Sequence, residues 1–212
     1  MGTDFKLFTE GTISAESISL NLDIDDYFFI RGTQRRVIEL MGDITDPLAN
    51  VLIRSIIQIN QEDEGIPVEE RTPIKLLLSS DGGAVDAGFA MIDVILNSKT
   101  PVYMINVGRQ YSMAAIVGLA GHKRYAFKNS TFLIHDGSMT IRDSGNKVHD
   151  FIKFDLSLEK RMKDFVLTRT NVSTKMYNSK ARDEWYLFAD EAKKLGFIDG
   201  IIGEDISLEE II

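Results

Sequence analysis

Gly108-Arg109-Gln110-Tyr111-Ser112-Met113-Ala114-Ala115 follows directly on the apolar run Val102–Val107, and the reading of this junction decides the fold. A buried-strand run that ends in glycine, then a serine, then small residues able to open a helix, is a strand–turn–helix corner. Such a corner lifts a side chain to the carboxyl end of a parallel sheet, where α/β enzymes keep their nucleophiles. Two further pieces flank it: Ser80-Asp81-Gly82-Gly83 upstream and Phe132-Leu133-Ile134-His135 downstream.

Working outward, Ile74–Leu78 is a short apolar run of buried-strand type, and Gly82-Gly83 leads from it into a helix from Ala84 to about Asn97. Val102–Val107 is the next strand and Ser112–Ala120 the next helix. This βαβα alternation implies parallel strands joined by right-handed crossovers. Tyr125-Ala126 and Thr131–Ile134 are two further short strands. Earlier in the chain, Ile18, Leu20, Leu22 and Ile24 alternate with polar residues, and Val37–Met41 reads as another strand. Asp46-Pro47 is a helix start, with Asp46 as cap and Pro47 at the first helical position. That helix runs to about Asn60, and the acidic stretch Gln61–Pro73 reads as a solvated loop. Gly145 precedes a long helix from about Lys147 to Arg169, Ala189–Leu195 is helical with Gly196 at its C-cap, and Phe197–Ile202 is a terminal strand.

With 212 residues and 44% apolar composition the chain can build one domain with a sizeable core. Its net charge of -8 is spread along the sequence, which argues against nucleic acid as a partner. The absence of cysteine removes disulfides, thiol nucleophiles and cysteine-based zinc sites. No apolar run is long enough to span a bilayer, and the start lacks a signal peptide's apolar stretch. A soluble, cytoplasmic protein is the expectation, with residues 1–26 as a mobile N-terminal segment (axial, if the chain assembles as the resemblance given below implies) before a single domain over 27–212.

The chain has three histidines, so a serine–histidine pair must draw on His122, His135 or His149. His122 sits among Gly121, Lys123 and Arg124 in what reads as an exposed turn, and His149 lies on the long amphipathic helix. His135 ends an apolar strand, a position that aims an imidazole into a cleft, and by elimination it is the candidate base. A serine in such a turn is often structural, its hydroxyl satisfying backbone groups. Gly82-Gly83 adds weight to the catalytic reading, because glycines after a strand free backbone N–H groups to point at a ligand, as an oxyanion hole requires. A carboxylate must also orient the imidazole. Asp136 is adjacent but alternation turns it the other way, and Asp183, Asp190 and Asp199 all remain open.

Over about residues 27–202 the sequence resembles the ClpP family, the barrel-forming serine peptidases of the ClpP/crotonase fold. The matching stretches are Arg36 to Ile44, Ser80-Asp81-Gly82-Gly83 through Ala87-Gly88, Gly108 to Ala115, Lys123-Arg124-Tyr125-Ala126 with Asn129-Ser130, and Leu133-Ile134-His135. Arg182-Asp183, Ala189-Asp190-Glu191-Ala192 and Gly196-Phe197-Ile198-Asp199 complete the series in order. The resemblance implies an α/β fold of repeated ββα units wound into a superhelix, with a protruding strand–helix handle. It also implies Ser112 as nucleophile, His135 as base, Asp183 as the orienting carboxylate, and an oxyanion hole from the N–H of Met113 and the Gly82-Gly83 turn. The implied activity is hydrolysis of peptides and unfolded proteins through an acyl-enzyme, without cofactor or metal. The implied assembly is a homo-oligomer of heptameric rings stacked in pairs, fed by an ATP-driven AAA+ unfoldase, with no nucleic acid or membrane partner.

Several positions depart from the family pattern. Asp81 stands where a proline stiffens the turn, Tyr111 stands beside the serine, and Asp136-Gly137-Ser138-Met139-Thr140 replaces the family's glycine-rich stretch after the histidine. Lys75 and Leu77 replace the aromatic pair of the unfoldase-docking cleft. A phage capsid-maturation protease of the same fold, a non-catalytic regulatory ring subunit and a crotonase-like acyl-CoA enzyme are the alternatives. The complete serine–histidine–aspartate set argues against the last two.

Overall fold

The computed structural model describes residues 34–137, 140–180 and 182–211, together with Gly32. The expected N-terminal segment and the alternating stretch Ile18–Ile24 lie outside the described residues.

Strand β1 (Val37–Met41) turns Ile38 and Leu40 inward and its other side chains outward, the period of two that one buried face demands. Helix α1 (Asp46–Glu62) then buries Ala49, Leu52, Ile56 and Ile59 along one stripe. Its cap is Thr45, not Asp46: the Thr45 hydroxyl accepts the Leu48 N–H while Thr45 itself stays extended. Asp46 is instead the first helical residue, where its charge meets the positive end of the helix dipole.

The acidic stretch after α1 is only partly a solvated loop. A single 3-10 turn covers Val68–Glu70. Asp63 is 1% exposed and accepts a forked pair of hydrogen bonds from Arg36 at 2.6 and 2.8 Å, plus one from the Thr100 hydroxyl at 2.7 Å. Its carboxyl is held below the usual carboxylate range, chiefly by the Arg36 bonds, against the opposing pull of burial.

Strands β2 (Ile74–Ser80), β3 (Val102–Tyr111), β4 (Lys123–Phe127) and β7 (Gly200–Ile202) continue the sheet from β1 in parallel, in the order β1-β2-β3-β4-β7. Helix α2 (Val85–Asn97) crosses from β2 to β3 and buries Ala87, Gly88, Met91, Ile92 and Ile95 against α1 and the sheet. The expected parallel βαβα core is therefore present. The terminal strand is shorter than Phe197–Ile202, because Phe197 is drawn into the end of helix α6 (Ala189–Lys194). Phe197 N–H bonds Ala192 O and Gly196 N–H bonds Lys193 O, a Schellman closure with Gly196 at φ 78°.

The strand in front of the serine is longer than the apolar run and does not stop at Gly108. β3 bulges there, since Leu78 pairs with Asn106 but Ser80 pairs with Gln110. Buried Asn106 holds the bulge: its Oδ1 accepts the Gly108 N–H and its Nδ2 donates to Thr131 O. Below the bulge β3 pairs with β4, and above it with β5 (Thr131–Ile134). β5 in turn pairs antiparallel with β6 (Trp185–Phe188), a strand the sequence pattern does not reveal. Asn106 thus splits the sheet into two arms and carries the end of β3 to the His135 strand.

Helix α4 (Gly145–Arg169) is the long helix of the expected handle. Among the described residues no strand lies between Ile134 and Gly145. Two short helices, α5 (Thr174–Lys180) and α7 (Leu208–Ile211), fill out the carboxyl-terminal third. Among the described residues no helix is long and apolar enough to cross a membrane.

Candidate active site

Ser112 sits at the end of β3 with φ 53° and ψ -126°, a left-handed conformation that a residue with a Cβ seldom adopts. Its surroundings enforce it. Ser112 N–H bonds Leu133 O at 2.8 Å, and Ser112 O accepts the Ala115 N–H at 3.0 Å. Helix α3 (Met113–Gly118), which starts at the next residue, is buried along its whole length. Such strain costs on the order of 1–3 kcal/mol and persists where the surrounding packing over-determines it.

The glycine pair lies against this corner. A Cβ on Gly82 would stand 2.8 Å from Ser112 Cβ and 2.8 Å from Tyr111 O, so only glycine lets the two turns touch. Gly83, at φ 145°, is pressed onto Ile44 in the same way. The Gly82 N–H is engaged by Ser80 Oγ at 3.0 Å. Among the described residues, neither the Gly83 N–H nor the Met113 N–H takes a partner. The glycine turn beside Ser112 and the residue after Ser112 thus each carry an N–H donor without an acceptor among the described residues, the kind of donor that an oxyanion can use.

Two of the departures from the family pattern, Asp81 and Tyr111, have structural answers. Where a proline would stiffen the turn, Asp81 accepts two hydrogen bonds from the Arg109 guanidinium, at 2.5 and 2.8 Å, which tie the turn to β3. Arg109 also holds the Asp81 carboxyl below the usual range. The Tyr111 ring lies over the neighbouring arm, its hydroxyl 2.9 Å from Thr131 Oγ1 and its ring edge-on to Tyr186.

His135 follows β5 directly, and the parallel register Tyr111↔Leu133 brings the end of β5 beside Ser112. Among the described residues the Ser112 hydroxyl makes no hydrogen bond to His135. The imidazole Nδ1 lies 3.0 Å from Glu184 Oε1. Of the carboxylates left open by the sequence, none is on the imidazole. Asp183, which the resemblance implied for this place, is exposed on the turn after α5, its N–H bonded to Lys180 O. Asp190 is exposed beside Lys194, and Asp199 accepts from the backbone N–H of Arg124. The contact with Glu184 was not legible in the sequence because it depends on β6, whose four apolar residues carry no alternation. His149 is exposed on α4, and His122 Nδ1 accepts the Val102 N–H. A cleft of ≈ 610 Å³ opens beside His135 and Asp136, with Leu156, Met162, Tyr177 and Arg182 among its walls.

The sequence model of the Clp protease family matches residues 26–205. The chain is 29% identical over 180 residues to the ATP-dependent Clp protease proteolytic subunit 2 of Treponema pallidum, covering 84% of this chain and 87% of that one. It is also 29% identical over 176 residues to the protein of the same name from Bacillus licheniformis, covering 82% and 90%. A left-handed serine on a parallel sheet, glycines packed against it, a strand-ending histidine beside it and a family match across most of its length together lead to one assignment: the chain belongs to the Clp protease family.

Proposed function

We propose that the chain is a serine endopeptidase in which Ser112 is the nucleophile and His135 the general base. The observation that carries this reading is the enforced left-handed corner at Ser112, with Gly82 in contact behind it. In the first half-reaction Ser112 Oγ attacks the scissile carbonyl carbon while His135 Nε2 takes the hydroxyl proton. The carbonyl oxygen becomes an oxyanion that the N–H groups of Gly83 and Met113 receive, with Gly82 shaping the turn. Collapse breaks the C–N bond, and Nε2 returns the proton to the leaving amine. Water then attacks the acyl ester, again losing a proton to His135, and Ser112 is regenerated. Loss of one oxyanion donor is expected to lower turnover by roughly 100- to 1,000-fold.

The chain works, in this reading, as a subunit of cytoplasmic heptameric rings, stacked in pairs, that enclose the sites and receive unfolded substrates from an ATP-driven unfoldase. Exposed Phe151, Ile152, Phe154 and Leu156 on α4 support self-assembly, since apolar side chains grouped on one projecting helix call for a covering surface. The names of the two relatives support a proteolytic subunit whose action depends on ATP.

The test is intact mass after treatment with a fluorophosphonate, beside the Ser112→Ala variant. One adduct per chain on the wild type and none on the variant is expected, together with loss of peptide hydrolysis in the variant. An adduct that persists in Ser112→Ala, or none on the wild type, overturns the assignment.

A further inference from the structure

We propose that Glu184, and not Asp183, is the residue that positions the His135 imidazole; the proposal rests on the reading of Ser112 and His135 above. The backbone register carries it first. β5 and β6 pair antiparallel from Thr131↔Phe188 to Ile134↔Trp185. The next step along both chains sets His135 opposite Glu184, and the one after sets Asp136 opposite Asp183. Directly opposed residues of an antiparallel pair project from the same face, whereas neighbours along a strand project from opposite faces. Asp183 is therefore out of phase with the imidazole by one residue, however near it is in sequence.

The side chains agree with the register. Glu184 Oε1 lies 3.0 Å from His135 Nδ1, with the imidazole 26% and the carboxylate 58% exposed. An ionised carboxylate only accepts hydrogen bonds, so this contact requires the ring proton on Nδ1. The lone pair is then on Nε2, the tautomer a base needs to take the serine proton. Asp183 makes no side-chain hydrogen bond among the described residues, and its backbone closes the turn onto Lys180. The glutamate stem carries its carboxylate from the strand backbone to Nδ1 and leaves the far nitrogen, Nε2, free among the described residues.

The experiment compares the wild-type assembly with Glu184→Gln and Asp183→Asn, reading kcat and KM for peptide hydrolysis and the histidine Nδ1–H resonance by NMR. Glu184→Gln is expected to lower kcat by roughly 100- to 10,000-fold with little change in KM, as loss of the orienting acceptor does in serine peptidases. Asp183→Asn is expected to cost less than about a tenth of that effect. The carboxylate-bound Nδ1–H resonance should vanish in Glu184→Gln and persist in Asp183→Asn, while thermal melting of both stays at the wild-type value. Turnover that survives Glu184→Gln, or a resonance lost only in Asp183→Asn, overturns the proposal. The resonance reports on the pair even in a protein without turnover, so failure of the serine-peptidase reading, visible as an unlabelled wild type, is distinguishable from failure of this one.

Discussion

Helix α2 buries Ala87, Gly88, Met91, Ile92 and Ile95 within thirteen residues, whereas α4 buries Val166 alone within twenty-five. The two helices stand for two halves of the molecule. Around Ser112 every element is packed on both sides: β2 and β3 within the sheet, α2 behind Met113, and the Gly82 turn against the corner. Around His135 the chain runs out of core after Ile134, and α4 projects Phe154 and Leu156 into solvent. Only the carboxyl end of α4 is tied down, by Arg169 donating to the carbonyls of Leu119 and Gly121. The Ser112 corner is thus specified by this chain's own interior, and within the chain the His135 side by one strand pair.

The largest effect on this contrast is expected from Gly83→Ala. The new Cβ would sit 2.3 Å from Ile44 O and 2.8 Å from Ile44 N, both backbone atoms that cannot step aside, at a φ that L-residues avoid. Denaturant melts should show a loss of more than about 3 kcal/mol. A variant as stable as the wild type would mean that the glycine turn is not locked by the core.

Next in size is Asp63→Asn. Removing the charge leaves the Arg36 guanidinium without its forked partner in a largely buried site, for an expected loss of about 3 kcal/mol at neutral pH. The pH dependence has a definite sign. Arg36 depresses the folded-state pKa of Asp63 below its unfolded value of about 3.9, so the stabilisation is fully present above that pH. It is lost as pH falls through the folded value. The stability gap between wild type and variant should therefore narrow below about pH 4. A gap that widened in acid would contradict the ion pair.

A double change of Phe154 and Leu156 to serine probes the other half. Monomer stability should move by no more than about 0.5 kcal/mol, since neither side chain is buried in the chain. Sedimentation should instead report smaller particles. A variant with weakened melting and unchanged particle size would place α4 in the chain's own core and dissolve the comparison. The smallest effect is expected from Asp81→Asn. Its pair with Arg109 is exposed on both sides, so melting should be indistinguishable from the wild type.

Much of the Ser112 side was legible from residues alone. Val102–Val107 ahead of a serine and small residues marks a strand–turn–helix, and Gly82-Gly83 marks a backbone that something must approach closely. Both signals are local, because a buried strand and a left-handed turn each restrict composition within a few positions. Ile74–Leu78 was legible as a strand for the same reason, but the alternation within it, with Ile74, Leu76 and Leu78 buried and Lys75 and Leu77 half-buried, appears only in the structure. Less legible was where β3 ends. The bulge at Gly108 is held by the Asn106 side chain reaching Thr131, a contact across 25 residues that no local pattern encodes.

The βαβα alternation of the core, the serine corner, the glycine turn and the strand-ending histidine were determined by the sequence itself, through short-range sterics and the period of its apolar residues. Tertiary structure alone decided that Asp63 is buried under Arg36, that α4 leaves Phe151, Ile152, Phe154 and Leu156 outside, and that Glu184 meets His135. Each of these depends on which segments pair and in what register. In an antiparallel pair a shift of one residue turns every side chain to the other face, and nothing in Trp185-Tyr186-Leu187-Phe188, apolar on both faces, could have set that register from within.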